Sequence, residues 1–122
     1  MIRVGTRLLH EPSGVVLAQQ LEIASNPITR GLGLMFRRSF ERGRGLWIAP
    51  CNGIHMFFMN FAIDAVFVDR ELRVVKTYPR LGRWRIVLLV LRAHSVFELP
   101  AGTLDGLAVE RGHQLQLADA AG

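Results

Sequence analysis

Cysteine is nearly missing from this chain. Cys51 is the single one among 122 residues, so no internal disulfide can form and the redox compartment is left open. Long apolar runs are missing too. The longest, Ile86 to Leu91, falls far short of the roughly 20 residues a bilayer-spanning helix needs. The first residues, MIRVGTRLLHEPSG, lack the apolar core and small-residue cleavage site of a secretory signal. The expectation is therefore a cytoplasmic chain as written, or an exported one if a signal was removed. No Walker loop, GxGxxG, GxSxG, HExxH or paired CxxC motif occurs, which removes the common nucleotide-binding, hydrolase and zinc-protease readings. Lysine is almost absent as well: Lys76 stands against fourteen arginines.

What is present is half hydrophobic, at 50%, and long enough to bury a core without staples. Its length fits a single domain over residues 1–122. The net charge of +5 is uneven. Residues 30–44 hold five arginines and one glutamate, and residues 80–92 hold four arginines and no acid. Arginine forks match phosphate, so nucleic-acid association through Arg37, Arg38, Arg83 and Arg85 is one reading. A solvated basic surface is the plainer one.

The pattern along the chain is of short strands. Residues 2–9 read as a strand closed by the turn His10–Gly14, and Val15–Leu17 and Leu21–Ala24 as two strand-like stretches separated by Gln19 and Gln20. Asn26-Pro27 is a helix start: Asn caps free N–H groups and Pro is tolerated at the first helical position. One short helix near residues 27–35 follows, weakened by Gly31 and Gly33. Leu46–Ala49 is strand-like. Ala65–Asp69 and Arg73–Tyr78 form the clearest hairpin, closed by Pro79. Ile86–Leu91 is a short strand or a helical turn, Ser95–Leu99 a strand, Thr103–Val109 a short turn of helix, and Gln114–Leu117 a last strand. The class is mainly β: a compact sandwich-like or barrel-like antiparallel domain with one short helix.

Chemistry concentrates between Pro50 and Asp69. Cys51, His55 and Met59 are spaced by four, and on a helix they would share a face as soft metal ligands. In an extended run they would lie about 13 Å apart, too far for one metal at ~3.3 Å per residue. The aromatic run from His55 onward reads as extended, so no metal or other cofactor is expected unless Asn52-Gly53 supplies a bend. Cys51 and His55 as nucleophile and base is a further, weaker reading. Asp64, in FAIDAVF, and Glu98, in VFELPAG, are acids inside apolar strands. Each either serves a site, as an acid/base or ligand-gripping group, or anchors backbone N–H groups and arginines.

Taken in order, RGLGLMFR, GLWIAP, CNGIHMFFM, IDAVFVD, FELPAGT and VERGHQLQL resemble the family catalogued as domain of unknown function 192, over about Ile23 to Leu117. The resemblance implies the same β-rich fold with a short helix. It brings no established activity and no catalytic residues, and it draws attention to Met59 and Asp64. His113 stands where that family more often has an acid. The expectation is a non-enzymatic domain that binds a small ligand or a protein partner around His55, Met59, Asp64 and Glu98. A metal-assisted or acid/base hydrolytic enzyme using Asp64, Glu98 and His55 is the alternative.

Overall fold

A computed structural model describes residues 6–119. The order is β1 (Thr6–His10), β2 (Val15–Ala24), α1 (Pro27–Leu32), β3 (Arg44–Ile48), β4 (Ile54–His55), β5 (Ile63–Val68), β6 (Val74–Leu81), β7 (Ile86–Val87), β8 (Ser95–Pro100) and β9 (Leu115–Asp119). Seven strands form one sheet in the order β6-β5-β8-β3-β2-β1-β9, and β4 pairs with β7 in a separate ribbon. Only β2 and β3 run parallel, joined by the crossover that carries α1. The sheet curls into a half-barrel. Its edges meet at one end, where Arg73 bridges Gln114 and the N–H groups of Val74 and Leu115 reach the carbonyls of His113 and Leu72. Closure of this kind blunts the exposed edges of a β-sheet.

Both faces of the central strands are covered. β5 and β8 are buried along their whole length, and alternate side chains go to different cores. Val66, Val68, Phe97 and Leu99 join Leu8, Leu21 and Leu115 on the concave side. Ala65, Phe67 and Val96 join Leu46, Ile48, Met56 and Met59 on the convex side. The covering layer on the convex side is the segment after α1, with Leu34 and Phe40, the 51–61 stretch and the β4–β7 ribbon.

The expected helix is there and shorter, with Asn26 accepting from the Thr29 N–H at 2.8 Å and Gly33 ending it at φ 49°. The hairpin is there, and β6 runs on through Pro79, which a sheet-edge strand accommodates. The two stretches around Gln19 and Gln20 form one continuous strand, because both N–H groups find the Gly43 carbonyl, at 2.7 and 2.9 Å. The helical turn expected at Thr103–Val109 is instead a run of turns. Of the first expected strand, residues 2–5 lie outside the described part. Among the described residues, no helix is long and apolar enough to cross a membrane.

Candidate functional site

Glu98 sits at the middle of β8, on the convex face. Its neighbours across the ladder are Leu46 on β3 and Ala65 on β5, both buried and apolar. The capping layer passes over it. The residue is 4% exposed, and no protein group among the described residues hydrogen-bonds its carboxyl. Burial among apolar groups penalises the charged form and pushes its pKa up to about 7, against the weaker opposing pull of the Arg37 charge. An acid placed this way opens onto a cleft of about 130 Å³ between the α1 segment and the 51–59 stretch. That volume is comparable with the ~150 Å³ cavity that admits benzene.

Each wall of the cleft has a local cause. Gly33 takes a positive φ after α1, and a Cβ there would stand 3.6 Å from Ile48 Cδ1 and 3.9 Å from Glu98 Oε1. Glycine therefore lets the helix end close over the acid without filling the space above it. Opposite it, Cys51, Ile54, His55 and Met59 come from the 51–59 stretch. This stretch is not extended as expected. β4 is only two residues long, residues 57–61 form turns and bends, and Phe58 has φ 63°. The chain doubles back, and Cys51, His55 and Met59 share one cleft after all.

Their chemistry there is specific. The Cys51 thiol donates to the Gly53 carbonyl at 3.0 Å, and burial raises its pKa, so it stays protonated. His55 Nδ1 accepts from the Phe57 N–H at 3.2 Å, which leaves Nε2 without a partner among the described residues. Met59 is buried. Among the described residues, no group of three His, Cys, Asp or Glu side chains is placed to hold a metal ion.

Asp64 is elsewhere. Its Oδ1 accepts from the Arg80 N–H and its Oδ2 from the Leu104 N–H, both at 2.8 Å, and it does not line the cleft. Both of its oxygens are used to fix backbone. Arg37 is also committed, through a bidentate pair with Glu22 at 2.8 and 3.1 Å, and Arg44 reaches the same carboxylate at 2.9 Å. These bonds, Arg37 first, hold Glu22 below the usual carboxylate range. Arg38, Arg83 and Arg85 have no carboxylate partner among the described residues.

The lining residues missed from the sequence include Arg30 and Met35. Arg30 Nη1 donates to the Pro50 carbonyl at 3.2 Å, and Arg30 Nε is the one buried side-chain nitrogen or oxygen without a partner among the described residues. The available signal was in RGLGLMFR, CNGIHMFFM and FELPAGT. These distant segments turn out to meet at one cleft.

A curled seven-stranded half-barrel with a helix-and-ribbon cap over a buried acid is the class of protein that fold and cleft define. The DUF192 family model, described as "Uncharacterized ACR", matches residues 9–117, and the chain belongs to that family. It is similar to the UPF0127 protein of Pyrococcus horikoshii, 32% identical over 114 residues, covering 89% of this chain and 96% of that one. It is similar also to the UPF0127 protein of Pyrococcus abyssi, 35% identical over 115 residues, covering 89% and 95%. Two solved structures share the fold. One is a proposed transcription regulator from Sinorhizobium meliloti, with TM-score 0.76, 24% identity and coverage of 91% of this chain and 90% of that one. The other is a protein of unknown function from Novosphingobium aromaticivorans, with TM-score 0.75, 18% identity and coverage of 94% and 84%.

Proposed function

We propose that this protein binds a small polar molecule in the cleft above β8, with Glu98 as the central hydrogen-bonding group and His55 and Met59 on the facing wall. The observation that carries the reading is a carboxyl set among apolar groups, without a protein partner among the described residues, whose oxygens face a space of small-molecule size. The Glu98 oxygens keep some contact with that space, so water reaches them, and a ligand donor that displaces the water gains a hydrogen bond in apolar surroundings. The ligand is of about six heavy atoms, by comparison with the benzene-sized cavity, and carries at least one N–H or O–H donor. Asp64 takes no part in this reading, because its acceptors are already filled.

A second reading, acid/base chemistry at the same group, rests on the Glu98 pKa of about 7, a value suited to a proton donor or acceptor near neutral pH. The two readings are separated by one set of proteins. Small amines, amides, guanidines and polyols are screened for thermal stabilisation of wild type, Glu98→Gln and His55→Ala, and the hits are assayed for turnover. The proposal expects stabilising hits that bind Glu98→Gln at least about tenfold more weakly and that emerge unchanged, a charged or acidic hydrogen bond contributing ~1.5–3 kcal/mol. Hits that bind Glu98→Gln as tightly as wild type would sink it. Turnover that is lost in Glu98→Gln would move the assignment to the second reading.

A further inference from the structure

Ten of the eleven large apolar side chains left exposed among the described residues fall on three segments: α1 with the loop after it, the 54–58 stretch, and residues 84–91. These segments are knitted together. The Phe36 N–H reaches the Phe58 carbonyl at 3.0 Å, the Trp84 N–H the Met56 carbonyl at 3.0 Å, and the Val90 N–H the Asn52 carbonyl at 2.8 Å. Their outward side chains therefore make one face.

The aromatic part of that face is held at a conformational cost. Phe36, Phe58 and Trp84 all have positive φ, at 67°, 63° and 67°. Bulky residues rarely take that conformation, and it costs about 1–3 kcal/mol each. The result is a cluster of rings in solvent, with Phe36–Phe58 centroids 5.4 Å apart and Phe58–Trp84 centroids 5.6 Å apart. Beyond them Leu88, Leu89 and Leu91 protrude, at 76%, 63% and 73% exposure.

Charge decides what can cover such a face. Residues 26–40, 50–63 and 80–97 contain seven arginines and not one Asp or Glu. Two of these cations are neutralised from elsewhere, Arg37 by Glu22 and Arg80 by Asp105. Arg30, Arg38, Arg83, Arg85 and Arg92 have no carboxylate partner among the described residues. A second copy of the chain would bring arginine against arginine. A nucleic acid would meet the arginines and leave the leucines nothing apolar to enter.

We propose that this face docks on the surface of an anionic lipid bilayer. Aromatic rings suit the headgroup level, aliphatic side chains that protrude on loops enter the acyl boundary without needing a complementary shape, and arginine pairs with lipid phosphate. Uncompensated cations together with an apolar patch supply the two signals that reversible membrane attachment requires.

The test is co-sedimentation of the full chain with sucrose-loaded vesicles, either phosphatidylcholine alone or phosphatidylcholine with phosphatidylserine. The chain should partition onto the serine-containing vesicles and onto phosphatidylcholine only weakly. Arg83→Gln with Arg85→Gln should weaken partitioning by about 30-fold, at ~1 kcal/mol for each cation near the surface. Leu89→Ser with Leu91→Ser, which leaves charge unchanged, should weaken it by at least about tenfold. Val15→Ser, an exposed apolar site off this face, should bind as wild type does. All these positions are exposed, so unchanged circular dichroism confirms folding in each case. Absence of binding to anionic vesicles would overturn the proposal. So would binding that the leucine pair does not affect, or a dimer that the leucine pair dissociates and that ignores vesicles.

Discussion

Glu98 and Asp64 are both acids inside fully buried strands, and the fold treats them oppositely. Asp64 receives two backbone N–H groups at 2.8 Å, whereas Glu98 receives none among the described residues. The difference has a consequence for stability. The folded Glu98 pKa of about 7 lies above its ordinary 4.5. Between those values the folded chain keeps a proton that the unfolded chain has released. Stability therefore falls as pH rises from 4.5 to about 7, and the loss is complete above it. At ~1.4 kcal/mol per pH unit the full loss is about 3 kcal/mol. Glu98→Gln has no such proton to lose. Urea unfolding should show variant and wild type alike near pH 4 and the variant more stable by about 3 kcal/mol near pH 8. Equal stability at both ends would mean the carboxyl is paired or hydrated. The difference curve isolates Glu98 from His10, whose burial lowers its pKa and whose contribution has the opposite slope, lost as pH falls below 6.5. The sequence singles out both acids as apolar-strand acids. It could not tell them apart, because the partners of Asp64 lie 16 and 40 residues away, and Glu98 has none among the described residues.

Local signals in the chain were sufficient for some elements and blind to others. The Asn26-Pro27 cap and the β5–β6 hairpin were legible because the residues that start and stop them are adjacent in sequence. The turns at 57–61 were not. The run HMFFMNF contains neither glycine nor proline, and its bend is imposed by the bonds Phe36 N–H to Phe58 carbonyl and Met56 N–H to Arg85 carbonyl, made to distant segments. The same long-range bonding explains why β2 is continuous through two glutamines. Gly53 shows how tightly the ribbon is laid. A Cβ there would fall 1.9 Å from the Leu88 carbonyl oxygen and 2.8 Å from that of Val87, both backbone atoms. Gly53→Ala must therefore push β7 away from β4. The expected outcome is a loss of about 1–3 kcal/mol in urea unfolding, together with faster hydrogen exchange at the Val90 N–H, which bonds Asn52. An unchanged exchange rate would show that the ribbon adapts without parting.

The whole molecule is a sheet with two buried faces that do different work. In the concave core, around Leu8, Val66 and Phe97, the buried polar groups of Asp64 and Ser95 are paired with protein donors. The convex core is interrupted where Glu98 opens beneath the cap, and three segments far apart in the chain, 30–35, 51–59 and Glu98 itself, meet there. Their convergence is a property of topology: the parallel β2–β3 crossover carries α1 over the sheet, and the β4–β7 ribbon closes from the other side. Composition and periodicity carried the β-rich class. They did not place Arg30 and Met35 beside Glu98, since nothing local marks either residue as a cleft wall. The central claim is that this fold sets an acid without a protein partner among the described residues at the floor of an open cleft, for use by a ligand. Its most direct test is a pH titration of the Glu98 side-chain carboxyl by ¹³C NMR, assigned by comparison with Glu98→Gln. A midpoint at about 7 is predicted. A midpoint near the ordinary 4.5 would contradict it, because the carboxyl would then be stabilised by protein or water and would need no ligand.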